Sequence, residues 1–140
     1  MKALIDTCVI VDALQSRLPF YKDAQKIFLA VANRWFDGYI TAKSAADIYY
    51  LGHRTTHSDK ETRKILEKLF ALYDLLDTTA MDCRRALSSQ ISDYEDAVMV
   101  ETALRSGCEC IVTRNLKDFK NASIAVYSPS DFLEFITPKE

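Results

Sequence analysis

At 140 residues, with 49% hydrophobic and 27% charged side chains, the chain can bury roughly two thirds of its unfolded surface around one core, so a single domain over residues 1-140 is expected. The formal net charge of −2 argues against a protein that coats nucleic acid indiscriminately, yet leaves room for a local basic patch. No apolar run approaches the ~18 residues that cross a bilayer, and Met1-Lys2-Ala3-Leu4-Ile5-Asp6 meets an acid too soon for a secretory signal, so a cytoplasmic protein with no membrane partner is expected.

Ala3-Leu4-Ile5 reads as a short buried parallel strand, followed by a helix from Thr7 to about Leu14. Asp6 therefore stands at a strand's carboxyl end, where open α/β sheets bind ligands, although it is equally placed to cap the helix. Pro19 and Phe20 open a second helix to about Trp35, with Ala24, Ile27, Phe28 and Val31 inward. Gly38-Tyr39-Ile40-Thr41 is a second strand, and Lys43 to about His53 a third helix with Ala46, Tyr49 and Tyr50 spaced for burial. Ser44 and Asp47 fit a cap and its box partner, but Asp47 also follows directly on a strand's carboxyl end. His53 and His57 lie a turn apart without the H-E-x-x-H pattern and read as solvent-facing. Ser58 to Glu61 forms a capping box for a helix to about Tyr73, with Ile65, Leu66, Leu69 and Leu72 inward and Arg63, Lys64 and Lys68 on a solvated face.

Leu75-Leu76-Asp77 is a minimal strand, and Thr79 begins a helix containing Cys83, Ala86 and Leu87. The stretch from Ser92 to Leu104 organises the rest. Its Ala97, Val100, Ala103 and Leu104 form an apolar stripe, Ser92 and Glu95 are spaced as a capping box, and Asp93 at the first helical position favours the helix dipole. Asp96 falls one residue past that box at the head of the stripe, a costly place for a carboxylate unless something pairs with it. Gly107 ends the helix, Cys108 to Thr113 is a strand, Arg114 to Phe119 a polar loop, Ile124 to Tyr127 a last strand, and Ser128-Pro129 opens a closing helix. Cys8, Cys83, Cys108 and Cys110 include no CxxC, and all read as reduced packing residues, Cys108 and Cys110 on alternate positions of one strand.

Strands alternating with helices imply a three-layer α/β/α sandwich, its central sheet mostly parallel and of about five strands, with every strand's carboxyl end along one edge. That edge collects Asp6, Asp47, Asp96, Asn115 and Asp118. Carboxylates a few ångströms apart repel by roughly 1–4 kcal/mol per pair, which a divalent cation relieves. Oxygen-only donors select a hard ion, so Mg²⁺ or Mn²⁺ is expected, with open positions for phosphate oxygens.

Leu4-Ile5-Asp6-Thr7, Asp47-Ile48-Tyr49-Tyr50, Asp93-Tyr94-Glu95-Asp96-Ala97 and Val112-Thr113-Arg114-Asn115-Leu116-Lys117-Asp118-Phe119, in that order and spacing, resemble the PIN-domain family, which includes the VapC-type toxins of bacterial toxin–antitoxin pairs, and within it the subgroup with a D-x-E-D-A helix start. The resemblance covers nearly the whole chain. It implies a metal-dependent ribonuclease that cuts RNA by attack of a metal-activated water in line with the leaving 3′ oxygen, and a toxin with an antitoxin partner. Carried over, Asp6 and Asp96 would bind the metal directly. Asp47 matches an acid that many members have as Glu, so its shorter arm would reach through water. Asn115 matches a position often Asp and supplies no charge, with Asp118 as its substitute, while Asp93 or Glu95 could join from the helix start. Thr7 and Thr113 would support the ligands through their hydroxyls. Lys43, Arg114, Lys117 and Lys120 would hold RNA phosphates, or be solvated loop charges, and Tyr49 and Tyr50 offer base-stacking surfaces. Homodimerisation is implied too, with the Phe20 to Trp35 helix as a candidate surface.

Two other classes remain open from sequence. One is a catalytically inactive PIN-type RNA- or protein-binding module, for which the neutral Asn115 and short Asp47 speak. The other is an aspartyl-phosphate domain, but Cys8 stands where a haloacid-dehalogenase-like enzyme wants a second acid, and Asp77 is the only candidate acceptor of a receiver-type domain.

Overall fold

A computed structural model describes residues 1–138. Its elements are β1 (Lys2–Ile5), α1 (Thr7–Leu14), α2 (Tyr21–Ala32), β2 (Asp37–Thr41), α3 (Ala42–Thr56), α4 (Asp59–Leu72), β3 (Asp74–Leu76), α5 (Ala80–Ala86), α6 (Tyr94–Arg105), β4 (Cys110–Val112), a 3₁₀ turn (Leu116–Phe119), β5 (Ala125–Tyr127) and α7 (Pro129–Ile136). The five strands pair in the order β3-β2-β1-β4-β5, every pair parallel. β1 is central, and the chain builds outward from it to β2 and β3 before crossing to β4 and β5. The strand order therefore reverses between β1 and β4, and their carboxyl ends flank the crevice where such sheets bind ligands.

Side-chain alternation along the strands divides the core into two layers. Ala3 and Ile5 of β1, with Cys110 and Val112 of β4, pack against α1, α2, α3, α4 and α7. Leu4 and Ile111 face the other way, onto Ala86 of α5 and Ala97, Val100 and Ala103 of α6. Successive strand residues point to opposite faces, so strands buried on both sides read as unbroken apolar runs. This is the predicted α/β/α sandwich.

Differences from the sequence expectations concentrate at helix ends and on helix faces. Pro19 and Phe20 precede α2 instead of opening it, and α2 stops at Ala32 because Arg34 takes a left-handed φ of 58°, leaving Trp35 outside. α3 is capped by Thr41, whose Oγ1 accepts the Ser44 N–H at 3.0 Å, and not by Ser44. That register buries Ser44 and Ile48, leaving Ala46 and Tyr50 exposed and Tyr49 half-buried. In α4 the buried residues are Thr62 and Leu69, while Leu72 is exposed, and Leu87, just past α5, and Leu104 of α6 face outward. Ser92 and Asp93 are likewise one residue out: Asp93 is the cap of α6, and its Oδ1 accepts the Asp96 N–H at 3.0 Å. β4 is shorter than the predicted strand, so that Cys110 lies in it and Cys108 just before it; all four cysteines are free. Among the described residues no helix is long and apolar enough to cross a membrane.

Candidate active site

Asp6 occupies the cap position of α1 in an extended backbone conformation, but its side chain makes no capping hydrogen bond. Its Oδ2 accepts instead from Thr113 Oγ1 at 2.8 Å and from Cys8 Sγ at 3.5 Å, and its N–H donates to the Val112 carbonyl at 2.9 Å. The β1 and β4 ends are thereby tied together through the carboxylate. Asp6 is only 8% exposed, and this burial pushes its pKa above the usual carboxylate range despite the hydrogen bonds from Thr113, Cys8 and the Thr7 backbone and the nearby Arg114 charge.

Asp96 sits in the first turn of α6, half-buried. Its pKa is pushed up to about 7, first by burial, then by the charges of Asp6, Asp93, Asp118 and Glu95. Carboxylates from β1, from α6 and from the 3₁₀ turn thus feel one another. A group so placed resists ionising unless a counter-charge is supplied.

Asp47 is differently engaged. Its Oδ2 accepts from Lys43 Nζ at 2.6 Å, and the same ammonium donates to Glu95 Oε2 at 3.1 Å, joining α3 to α6. Thr7 Oγ1 and Thr41 Oγ1 both donate to Ser44 Oγ at 2.9 Å, which packs the start of α1 against the start of α3. Asn115 donates its N–H to Thr113 Oγ1 at 3.1 Å, and its side-chain amide approaches Cys8 Sγ at 4.0 Å.

A cleft of about 710 Å³ opens between α1, α3 and α6, and its acids are Asp6, Asp47, Glu95 and Asp96 and its cations Arg17, Lys43 and Arg54. Thr7 and Asn115 line it as well; Asp93, Thr113 and Asp118 do not. Arg114, Lys117 and Lys120 do not line the cleft. Arg114 donates from Nε to the buried Asp12 Oδ2 at 2.7 Å and lies 4.4 Å over the Phe20 ring, whereas Lys117 and Lys120 are exposed on the turn. Tyr50 reaches the cleft wall and Tyr49 does not.

Sequence reasoning passed over Cys8, Arg17, Thr41, Ser44, Arg54 and Tyr94 of this cleft. Only Thr41 carried a local signal, a hydroxyl at the strand-to-helix junction that can cap as well as Ser44 can. Among the described residues no three His, Cys, Asp or Glu side chains form a ready cation cage. The anionic donors of the cleft are nonetheless all carboxylate oxygens, since burial pushes the Cys8 thiol up to about 11, and such a set suits a hard cation that keeps several waters.

A family model described as PIN domain matches residues 2–117. No curated protein sequence matches the chain significantly. Among solved structures, a chain of a toxin–antitoxin complex from Klebsiella pneumoniae is similar, with 22% identity over 91% of this chain and 97% of its own and a TM-score of 0.68. Similar too are chains of FitAcB from Neisseria gonorrhoeae (21% identity, 91% and 98% covered, TM-score 0.67) and of VapBC2 from Rickettsia felis bound to a DNA fragment from their promoter (17% identity, 91% and 98% covered, TM-score 0.67). At such identities the likeness establishes a shared fold. With the family match running from the first strand into the 3₁₀ turn, the chain belongs to the PIN domain family.

Proposed function

We propose that the protein is a metal-dependent endoribonuclease acting as the toxin of a toxin–antitoxin pair. The observation that carries this reading is that Asp6 and Asp96 line one cleft at the strand-order reversal, both held above the usual carboxylate pKa range and neither, among the described residues, in a salt bridge with a basic side chain. Their oxygens would hold Mg²⁺ or Mn²⁺, which when bound acidifies a water and neutralises charge on a phosphodiester. Membership of the PIN domain family and the likeness to chains of toxin–antitoxin complexes support the same reading. They also make an antitoxin protein the natural partner; a cytoplasmic homodimer is part of the proposal.

Hydrolysis forms a bond from water oxygen to phosphorus while the bond to the 3′ oxygen breaks; the water loses a proton and the departing oxygen gains one. The chain's contribution is placement. Thr113 and Cys8 fix the Asp6 carboxylate, and the Asp93 cap fixes the turn that carries Asp96. Asn115 offers an amide to the cleft. Arg17, Lys43 and Arg54 supply positive charge for phosphates, and Tyr50 and Tyr94 offer rings for unstacked bases.

The test is incubation of the purified chain with an end-labelled single-stranded RNA pool and Mn²⁺. Fragmentation abolished by EDTA, by Asp6→Asn and by Asp96→Asn is expected. RNA left intact by the wild type would favour the binding module that the neutral Asn115 and the Lys43-held Asp47 suggest.

A further inference from the structure

We propose that Lys43 is the second positive charge of the cleft: its ammonium, held between Asp47 and Glu95, meets the RNA phosphate, so that the cleft takes one divalent cation, at Asp6 and Asp96, and not two. This rests on the nuclease reading and refines it.

Four acids line the cleft, and the structure divides them into two pairs. Asp6 and Asp96 line it without a salt bridge to any cationic side chain among the described residues. Asp47 and Glu95 both accept from Lys43, at 2.6 and 3.1 Å. An ordinary surface pair four residues apart on a helix accounts for the Asp47 contact. It does not account for Glu95, which lies 52 residues further on, on α6. Two carboxylates from different helices converge on one ammonium, biasing it toward the gap between α3 and α6 as a lone surface lysine is not biased. Asn115, which also lines the cleft, brings no charge. A second divalent cation would need carboxylates, and those left to hold it are already on Lys43. Two-metal sites place their ions on either side of the reacting phosphate; a fixed ammonium can neutralise one side in place of an ion. Asp47 is then a positioning residue for Lys43, not a metal ligand.

The experiment pairs a binding count with kinetics on the full chain. Free Mn²⁺ followed by electron paramagnetic resonance should show one ion bound per chain in the wild type and in Asp47→Asn, and loss of binding in Asp6→Asn. At Mn²⁺ that fills only the Asp6 and Asp96 site, Lys43→Met should lower kcat by about 100-fold, as for removal of one charge-stabilising donor, and in the binding count it should admit a second, weaker ion at the freed Asp47 and Glu95. Lys43→Arg should recover part of the rate. Two ions in the wild type, or collapse of Mn²⁺ binding in Asp47→Asn, would overturn the proposal. So would a Lys43→Met enzyme as fast as wild type. If the wild type cleaves no RNA, the nuclease reading falls, and the Mn²⁺ count alone decides how many cations the cleft takes.

Discussion

The Asp96 carboxyl carries the largest electrostatic tension in the cleft, and that tension has a measurable consequence in the cation-free protein. In an unfolded chain an aspartate titrates near pH ~3.9; in the fold Asp96 is pushed up to about 7 by burial and by Asp6, Asp93, Asp118 and Glu95. Between those limits the folded state holds a proton that the unfolded state has released. The associated stability is full below about pH 4 and is lost as the pH rises through about 7. In EDTA the protein is expected to melt higher at pH 5 than at pH 8, and because Asp96 is only half-buried the gap is on the order of a few degrees. Asp96→Asn should remove most of it, and Mn²⁺ should close it by raising the pH 8 value; a gap unchanged in Asp96→Asn would place the tension elsewhere. A second residue-level prediction concerns Tyr73, whose hydroxyl is buried without a hydrogen-bond partner. Tyr73→Phe removes that group and should raise stability by about 1 kcal/mol in urea titration. Asp96 stood out in the sequence as an acid heading an apolar stripe. The local cap was misjudged because Ser92 with Glu95 and Asp93 with Asp96 are overlapping solutions of one pattern, and only the backbone chooses between them.

At the scale of elements, α5 and α6 are clamped by a buried carboxylate. Asp82 completes a capping box with Thr79, accepts from Thr102 Oγ1 at 2.8 Å and from Arg105 Nε at 2.9 Å, and is 1% exposed. Burial alone would push its pKa up, but the hydrogen bonds from Arg105, the Thr79 backbone and Thr102 outweigh it and hold the group at about 2. Asp82→Ala leaves Arg105 and Thr102 without their acceptor and should cost about 3 kcal/mol in chemical denaturation. The wild-type contribution should be present above about pH 4 and be lost as the pH falls toward 2, an acid limb that the variant lacks. Because α6 carries Asp96, Asp82→Ala should also weaken Mn²⁺ binding without touching the cleft. Thr79 was legible as a helix start, whereas Asp82 was not: Thr102 and Arg105 lie 20 and 23 residues further along. The same holds for Asp12, an acid within α1 whose partner Arg114 is 102 residues away. Local patterns reveal caps and stripes, but a buried ion pair is defined by both ends, and only the fold brings them together.

For the whole molecule, the alternation of apolar runs and amphipathic stretches was enough to read a parallel sheet with helices on both faces, since strands buried on both sides leave an unmistakable record. Which charges share the cleft was less readable, because loop lysines near an acid in sequence need not face it. Arg114 is bound to Asp12 and Lys117 and Lys120 stand on the outer turn, while Arg17 and Arg54, from distant stretches, reach the cleft. The net charge of −2 works against broad attraction of RNA, so binding should draw on the three cleft cations. Each phosphate neutralised on a single strand contributes about −0.7 to the slope of log K against log salt, so a slope no steeper than about −2 is expected. The measurement is fluorescence anisotropy of a labelled single-stranded RNA with the Asp6→Asn chain across a salt series. Arg54→Ala should flatten the slope by about one phosphate's share, and Lys117→Ala should leave it unchanged. A much steeper slope that Lys117→Ala reduces would mean that the RNA runs over the 3₁₀ turn, with the cleft holding only the nucleotides at the scissile bond.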